Sequence, residues 1–178
     1  MDKDAMNAIA IAAVTNVINL YPVAVDTQSW ALFDRVFTAD AHVDFGPPAV
    51  WDDLASLKVA FDMIHAPFAA TQHATRGHHV AVDGDRATCL SYVLGRFIRD
   101  VPGGNMFESA GWYDDVLVRT PAGWRISRRV CRMLWWGGNP AVLQTSPDVP
   151  VAPVLDSLVA EGKAGRLGHL EALGRGIG

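Results

Sequence analysis

Histidine and carboxylate side chains are the groups in this sequence best suited to acid–base chemistry near neutral pH. An unperturbed imidazole has a pKa of about 6.5, so it can exchange a proton without help from a cofactor. His73 lies near the neighbouring pair His78 and His79, and Asp26 follows the first long apolar stretch. By residue type alone, His73 also fits an ordinary strand-end or core histidine, and Asp26 fits the N-cap of the next helix.

The three histidines do not form a metal-binding motif. Neighbouring residues of a strand point to opposite faces, so only one of His78 and His79 can share the side of His73. The cysteines, Cys89 and Cys131, are two in number and lack metal-ligand spacing, so we interpret them as buried thiols. No phosphate loop, dinucleotide fingerprint or nucleophile elbow is present. The sequence therefore predicts neither a metal nor a cofactor.

Length and composition exclude several classes of protein. The chain has 178 residues, half of them apolar, and a formal net charge of −4. This is the size of one domain, with enough apolar residues for a core. The negative charge argues against binding to nucleic acid or to an anionic membrane.

The apolar stretch of residues 8–25 needs a separate interpretation. Asp2 and Asp4 flank Lys3, so the basic segment of a secretory signal is missing. Polar residues and Pro22 interrupt the stretch before it reaches the length of a membrane span. We expect a buried helix in a cytoplasmic protein.

Apolar spacing predicts three helices and a sheet. The first helix is expected to kink or end at Pro22, the second fits residues 27–37, and the third begins at Asp52 or Asp53. Alternating segments separated by glycine-containing turns predict strands at residues 41–45, 73–82, 87–99, 106–119 and 124–136. This order indicates an α+β fold with the helices on one face of a curved sheet. It assigns residues 1–139 to one domain.

Residues 140–178 are interpreted as a C-terminal tail. They are rich in Pro, Gly and Ala, contain one weak helix near residues 154–161, and are too few to bury a core of their own. The tail is expected to be partly helical and partly flexible, with a mobile end at Gly178. Residues 141–143 and 151–159 are apolar enough to cover a pocket mouth or to reach a neighbouring subunit.

Several strings in this order resemble SnoaL-like proteins of the NTF2-like superfamily, over roughly residues 5–137. The resemblance implies a cone-shaped α+β barrel, in which an antiparallel or mixed sheet wraps three helices around a deep apolar pocket. It also implies assembly as a homodimer or homotrimer. The strings that carry it are Val25-Asp26-Thr27-Gln28-Ser29-Trp30, Leu32-Phe33, Phe37-Thr38-Ala39-Asp40-Ala41, Thr71-Gln72-His73, residues 113–119 and Gly123-Trp124-Arg125-Ile126.

The resemblance implies a catalytic dyad of Asp26 and His73. Dehydratase, dehydrochlorinase and polyketide-cyclase members of the family carry an acidic residue and a histidine at these two places. A carboxylate bonded to one ring nitrogen fixes the tautomer and stabilises the imidazolium that forms when the other nitrogen takes a proton.

Arg129 stands where dehydrochlorinase members carry a pocket arginine, which stabilises charge on a leaving group. Strand alternation leaves open whether Arg128 or Arg129 faces the pocket, and a bulge would exchange them. Tyr21 stands where those members carry a lysine, and a phenol brings no charge for a departing chloride. This departure disfavours dehalogenation and favours dehydration, isomerisation or cyclisation. Val25 and Phe45 replace two tyrosines of the scytalone dehydratases.

Large aromatic side chains are the candidates for the pocket wall. Four residues are assigned to substrate binding: Tyr21, Trp30, Phe45 and Trp112.

The hypothesis is therefore a cofactor-independent lyase or isomerase for a small apolar substrate, with a cyclic oxygenated molecule as the expected case. One alternative is a non-catalytic subunit or ligand-binding module, such as the β subunit of a ring-hydroxylating oxygenase. A third interpretation is an epoxide hydrolase with an Asp–Arg–Asp arrangement, for which Asp114 and Asp115 are available.

Overall fold

The computed structural model describes residues 2–144 and 153–176, and it begins with one long helix. Helix α1 spans Lys3–Asp26, and the carboxylate of Asp2 caps it by accepting a hydrogen bond from the amide of Ala5 at 2.7 Å. The helix continues through Pro22, so the expected end at this residue was wrong. Pro22 is buried, and packing of the apolar face compensates for the one hydrogen bond that proline cannot make.

By length and composition alone, α1 is apolar enough to cross a membrane, a test that core helices and signal sequences also pass. Its buried residues belong to the main hydrophobic core, where they pack with α2 (Leu54–His65) against the sheet. The second expected helix is a short 3₁₀ helix, Trp30–Arg35. Its N-cap residue, Ser29, forms no capping hydrogen bond through its side chain. The three predicted helices are thus two α-helices and one 3₁₀ helix.

Six strands form one curved sheet in the order β2-β1-β6-β5-β4-β3. All neighbours are antiparallel except β1 and β6, which are parallel. The sheet is open, since β2 and β3 form its two edges. The predicted α+β class with a mixed, curved sheet is confirmed, although the sheet does not close into a complete barrel. The strands are β1 (Phe37–Asp44), β2 (Val50–Trp51), β3 (Ala70–Asp83), β4 (Arg86–Ile98), β5 (Met106–Thr120) and β6 (Gly123–Gly138).

Two bulges change which side chains face the helices. In β3 the register against β4 shifts between Arg76 and His79, with Gly77 at a positive φ of 64°. In β6 the register against β5 shifts near Ser127, so that Ile126 and Arg129 both face inward. The bulge therefore turns Arg129, and not Arg128, toward the interior side of the sheet.

The part of the tail that the structure describes packs on the sheet. A 3₁₀ helix, Pro140–Leu143, inserts Val142 into a small core cluster with Phe68 and Phe107. Leu155 forms an isolated bridge with Met133 of β6. Helices α3 (Leu158–Lys163) and α4 (Gly168–Gly176) follow, and the expected mobile end at Gly178 lies outside the described residues.

Helix α4 is anchored to the outer face of the sheet by its first residues. The carboxylate of Asp114 in β5 accepts hydrogen bonds from the amides of Gly168 and His169, at 2.6 and 3.0 Å. The buried ring of His169 is hydrogen-bonded to Nδ1 of His79 at 2.8 Å and to the hydroxyl of Thr88 at 2.9 Å. The tail is thereby joined to β3, β4 and β5.

Candidate functional site

Asp26 and His73 are in direct contact. Asp26 is the last residue of α1, and its Oδ1 lies 2.7 Å from Nδ1 of His73. The backbone amide of His73 donates to Oδ2 at 2.7 Å, and the hydroxyl of Thr71 donates to Oδ1 at 2.9 Å. The carboxylate is therefore fixed to β3 by three hydrogen bonds, and it fixes the imidazole in turn.

These contacts favour the ionised form of Asp26 and select the tautomer of the neutral imidazole of His73. Burial alone would raise the pKa of Asp26, but the hydrogen bonds from His73 and Thr71 hold the pKa of this carboxyl below its usual value. Because an ionised carboxylate only accepts, Nδ1 of His73 carries the hydrogen, and the lone pair is on Nε2. His73 lines a cavity, and because Nδ1 is held by Asp26, Nε2 is the ring nitrogen left for a molecule bound there. The arrangement can remove a proton from a molecule held there.

The cavity has a volume of about 410 Å³, within the range of small-molecule sites. Polar groups are few on its wall, so it suits a largely apolar molecule of one or two rings. Leu143 of the tail contributes to the lining. The apolar wall is formed chiefly by Phe45, Trp51, Phe61, Ile64, Phe68, Val93, Phe97, Met133 and Leu143.

Two of the four expected substrate-binding residues, Tyr21 and Phe45, line this cavity. Burial raises the pKa of Tyr21 far above its ordinary value, so its phenol stays protonated and can donate a hydrogen bond. Trp112 points to the opposite face of the sheet from Tyr113, as strand alternation requires, and lies outside the lining. Trp30 packs against Phe61, and its Nε1 donates to Asp62 at 2.9 Å. The structure gives neither tryptophan a place on the cavity wall.

Arg129 also lies outside the lining, because it is completely buried in an ion pair. Its Nε and Nη2 donate to the two carboxylate oxygens of Asp115, both at 2.8 Å. The guanidinium lies 4.4 Å from the ring centre of Tyr21 and 3.9 Å from that of Tyr113. Burial would lower the pKa of Arg129, but Asp115 raises it, so the group remains charged. Arg129 supports the two tyrosines from behind and does not reach the cavity as the expected leaving-group residue would.

The same geometry argues against the epoxide-hydrolase interpretation. Asp115 faces inward to Arg129, whereas Asp114 faces outward to the first residues of α4. Because the two carboxylates lie on opposite faces of β5, they cannot both flank Arg129.

Neither the pair His78 and His79 nor the cysteines add a chemical centre. His78 faces inward and His79 outward to the tail, and no cluster of three or more metal-ligating side chains occurs within residues 2–144 and 153–176. Burial raises the pKa of the Cys89 and Cys131 thiols to about 12, which leaves them protonated and unreactive.

Sequence reasoning missed His65, Ser109 and Arg132, three polar residues on the cavity wall. Arg132 is held by Asp44 of β1 at 2.7 Å and by Asp156 of the tail at 3.4 Å. His65 follows Phe61 by one helical turn on the apolar face of α2. That spacing was a usable signal for His65, whereas Arg132 is held by Asp44, a residue distant in the sequence.

The family model that describes a SnoaL-like domain matches residues 7–130. The chain belongs to this family. A sequence relative, the uncharacterised protein Rv2910c of Mycobacterium tuberculosis, is 32% identical over 111 residues, which cover 62% of this chain and 76% of the relative. The resemblance stated above is therefore confirmed at the level of the family.

Solved structures show the same fold at low sequence identity. A putative scytalone dehydratase from Novosphingobium aromaticivorans has a TM-score of 0.68 and 18% identity, covering 84% of this chain and 96% of its own. A hexachlorocyclohexane dehydrochlorinase, LinA type 2, has a TM-score of 0.62 and 16% identity, covering 82% and 91%. An NTF2-like superfamily protein from Salmonella enterica has a TM-score of 0.62 and 16% identity, and the match covers 71% of this chain and 92% of that protein. The fold of this SnoaL-like protein is thus NTF2-like, as predicted.

Proposed function

We propose that this SnoaL-like protein is a cofactor-independent lyase or isomerase that acts on a small, largely apolar, oxygenated ring. The observation that carries the proposal is the 2.7 Å contact between Asp26 Oδ1 and His73 Nδ1, with the imidazole on the wall of an apolar cavity. A dehydratase and a dehydrochlorinase among the structures of similar fold support the same class of reaction.

The chemistry can be followed for a ring ketone that carries a hydroxyl on the β-carbon. Nε2 of His73 takes the proton from the α-carbon, and the electron pair of the C–H bond forms an enolate. Asp26 stabilises the imidazolium that results. The enolate then expels the β-hydroxyl, which leaves as water with the proton held on His73. One water is lost, and the base is regenerated.

Tyr21 is suited to stabilise the negatively charged oxygen of the enolate. Its phenol lies on the cavity wall and remains protonated, so it can donate a hydrogen bond to the developing negative charge. The guanidinium of Arg129 lies 4.4 Å from the ring centre of Tyr21. Its positive charge makes the phenol of Tyr21 a stronger hydrogen-bond donor. The same residues serve an isomerisation, in which His73 returns the proton to a different carbon.

Loss of water or isomerisation is preferred over loss of a halide because of the charges around the cavity. The cationic groups near its wall are already paired, Arg129 with Asp115 and Arg132 with Asp44. A departing halide would meet the neutral phenol of Tyr21. An oxygen leaving group that departs as water needs no such cation.

The test is proton exchange at carbon, with 2-tetralone as the probe. The full chain is incubated with the ketone in D₂O, and deuterium at the α-carbons is followed by NMR. Binding of the probe is measured in parallel by calorimetry. We expect His73→Ala to lower the exchange rate by about 100-fold or more, since general base catalysis contributes about 10²–10⁴-fold. Asp26→Asn is expected to lower it by a smaller factor.

The chain offers a matched control in a second histidine–aspartate pair. His42 and Asp52 are 2.6 Å apart on the surface, where both side chains are exposed. His42→Ala should leave the exchange rate unchanged. Binding of the ketone without exchange, or equal rates in the wild type and His73→Ala, would sink the proposal.

Purification addresses the non-catalytic alternative. A self-contained homodimer or homotrimer is part of our proposal, as is a cytoplasmic location. Recovery of the protein in a fixed ratio with an iron–sulfur partner would instead favour the oxygenase-subunit hypothesis.

A further inference from the structure

A second imidazole lines the cavity and takes no part in the proposed proton transfer. His65 is the last residue of α2, and only 5% of its surface is exposed. Its ring stacks on Phe61 with the centroids 5.1 Å apart, and it meets the edge of Phe68 at 5.8 Å. The side chain is therefore held in a fixed position by apolar neighbours.

The backbone determines which nitrogen of His65 faces a ligand. Nδ1 lies 2.8 Å from the carbonyl oxygen of Phe61, one helical turn earlier. A carbonyl oxygen only accepts, so Nδ1 carries the hydrogen, and Nε2 has the lone pair. Among the described residues, no side chain or backbone group forms a hydrogen bond with Nε2. With Nδ1 turned to the helix, the Nε2 edge is the one left to the cavity.

The surroundings keep this nitrogen an acceptor. Burial, and after it the nearby His73, lower the pKa of His65, so the ring stays neutral. A neutral acceptor in an apolar wall is unfavourable when it meets only hydrocarbon, and favourable when it meets a donor. The cavity thus presents two basic nitrogens, and His73 is the one that is paired with a carboxylate.

We propose that Nε2 of His65 accepts a hydrogen bond from a hydroxyl group of the ligand. His65 is then the residue that selects hydroxylated rings over their O-methyl or deoxy analogues. The assignment rests on the proposed function in placing the ligand in the same cavity, but it concerns binding and does not require turnover.

The experiment compares two ligands that differ in one donor, 1-tetralol and its methyl ether, by isothermal titration calorimetry on the full chain. We expect the wild type to bind the alcohol at least tenfold more tightly. In His65→Phe, which keeps an aromatic ring of similar size, the difference should fall to about twofold, with the affinity for the ether unchanged. His65→Gln retains an acceptor oxygen and should retain part of the preference.

His73→Phe decides between the two acceptors. We expect this variant to keep the preference for the alcohol. Loss of the preference in His73→Phe together with its retention in His65→Phe would overturn the assignment, as would equal binding of the two ligands by the wild type. If His65→Phe fails to fold by circular dichroism, His65→Leu takes its place. A preference that depends on His65, without any proton exchange on 2-tetralone, would support this inference and contradict the proposed function alone.

Discussion

Gly95 of β4 lies directly opposite His73 of β3 and leaves the reactive edge of its imidazole uncovered. A methyl group at position 95 would lie 3.3 Å from Nε2 of His73 and 3.1 Å from Cε2 of Phe97. The absence of a side chain at this position gives a ligand access to the nitrogen that we propose as the base.

Gly95→Ala should therefore reduce proton exchange without breaking the Asp26–His73 contact. We expect a decrease of about 10- to 100-fold in the rate with 2-tetralone, since small misplacements of reacting groups are costly. Gly137→Ala is the matched control, because a methyl group there would meet only Glu108 at 4.0 Å. If Gly95→Ala exchanges protons as fast as the wild type, access to Nε2 does not depend on position 95.

The buried pair of Arg129 and Asp115 should dominate stability more than any surface ion pair. Arg129→Met leaves the carboxylate of Asp115 buried without a partner, and we expect a loss of about 3–5 kcal/mol in the free energy of unfolding. Replacing both residues by apolar ones should recover most of it. Lys58→Met, which removes a partly exposed pair with Asp34, should cost less than about 1 kcal/mol. Urea denaturation of the variants measures these differences, and a small effect of Arg129→Met would contradict the prediction.

Protonation of Asp26 should account for part of the decrease in the free energy of unfolding at acidic pH. Its pKa is lowered in the folded protein, so its contribution is complete above the ordinary pKa of about 3.9. The contribution declines as the pH falls through the lower folded value, because the carboxyl must then be protonated. Asp26→Asn is expected to be less stable at pH 7 and to lose less on acidification. Urea denaturation between pH 3 and pH 7 measures how the free energy of unfolding of the wild type and of Asp26→Asn depends on pH. The same pH dependence in both proteins would be inconsistent with this account.

Docking of α4 should weaken at mildly acidic pH. Burial, and after it His79, lower the pKa of His169 to about 4, whereas an unfolded histidine titrates near 6.5. The docked state is therefore fully favoured above about pH 6.5 and loses stability as the pH falls toward 4. The groups that face His169 are His79 from β3, Thr88 from β4 and Asp114 from β5, with Arg128 close to Asp114.

Hydrogen exchange provides the measurement. Amides of α4 should lose protection between pH 7.5 and pH 5, after correction for intrinsic exchange rates, while those of β4 and β5 keep theirs. In His169→Asn, which removes the buried imidazole at this position, protection of α4 should depend much less on pH than in the wild type. Equal protection of wild-type α4 at both pH values would disprove the prediction.

Local patterns in the sequence were sufficient for the class of fold. The change of apolar period from 3.6 to 2, with glycine-containing turns, located the four long strands β3–β6 to within a few residues of their ends. These features depend on neighbours in the chain, so a pattern reveals them. The family resemblance added the pairing of Asp26 with His73, which no spacing rule supplies across residues so far apart.

Residues whose orientation depends on distant contacts could not be predicted in the same way. Pro22 stays inside α1 because tertiary packing outweighs its local effect. Arg129 faces inward because a bulge shifts its strand and Asp115 neutralises it there. Size alone favours Trp112 as a pocket residue, although alternation from the inward-facing Tyr113 puts it on the other face of the sheet. His65 lies on an apolar helical face, and the spacing that places it there does not show that this face lines a cavity.

The bulge at Gly77 divides β3 into two halves with different tasks. His73 and His79 are an even number of residues apart, so on a regular strand both would face the cavity side. The extra residue turns His79 outward, where it meets His169 of the tail. A single strand thus carries the proposed base at one end and the anchor of the C-terminal segment at the other. Deleting Gly77 would force one of these two histidines onto the wrong side of the sheet, so the length of this strand is constrained by both.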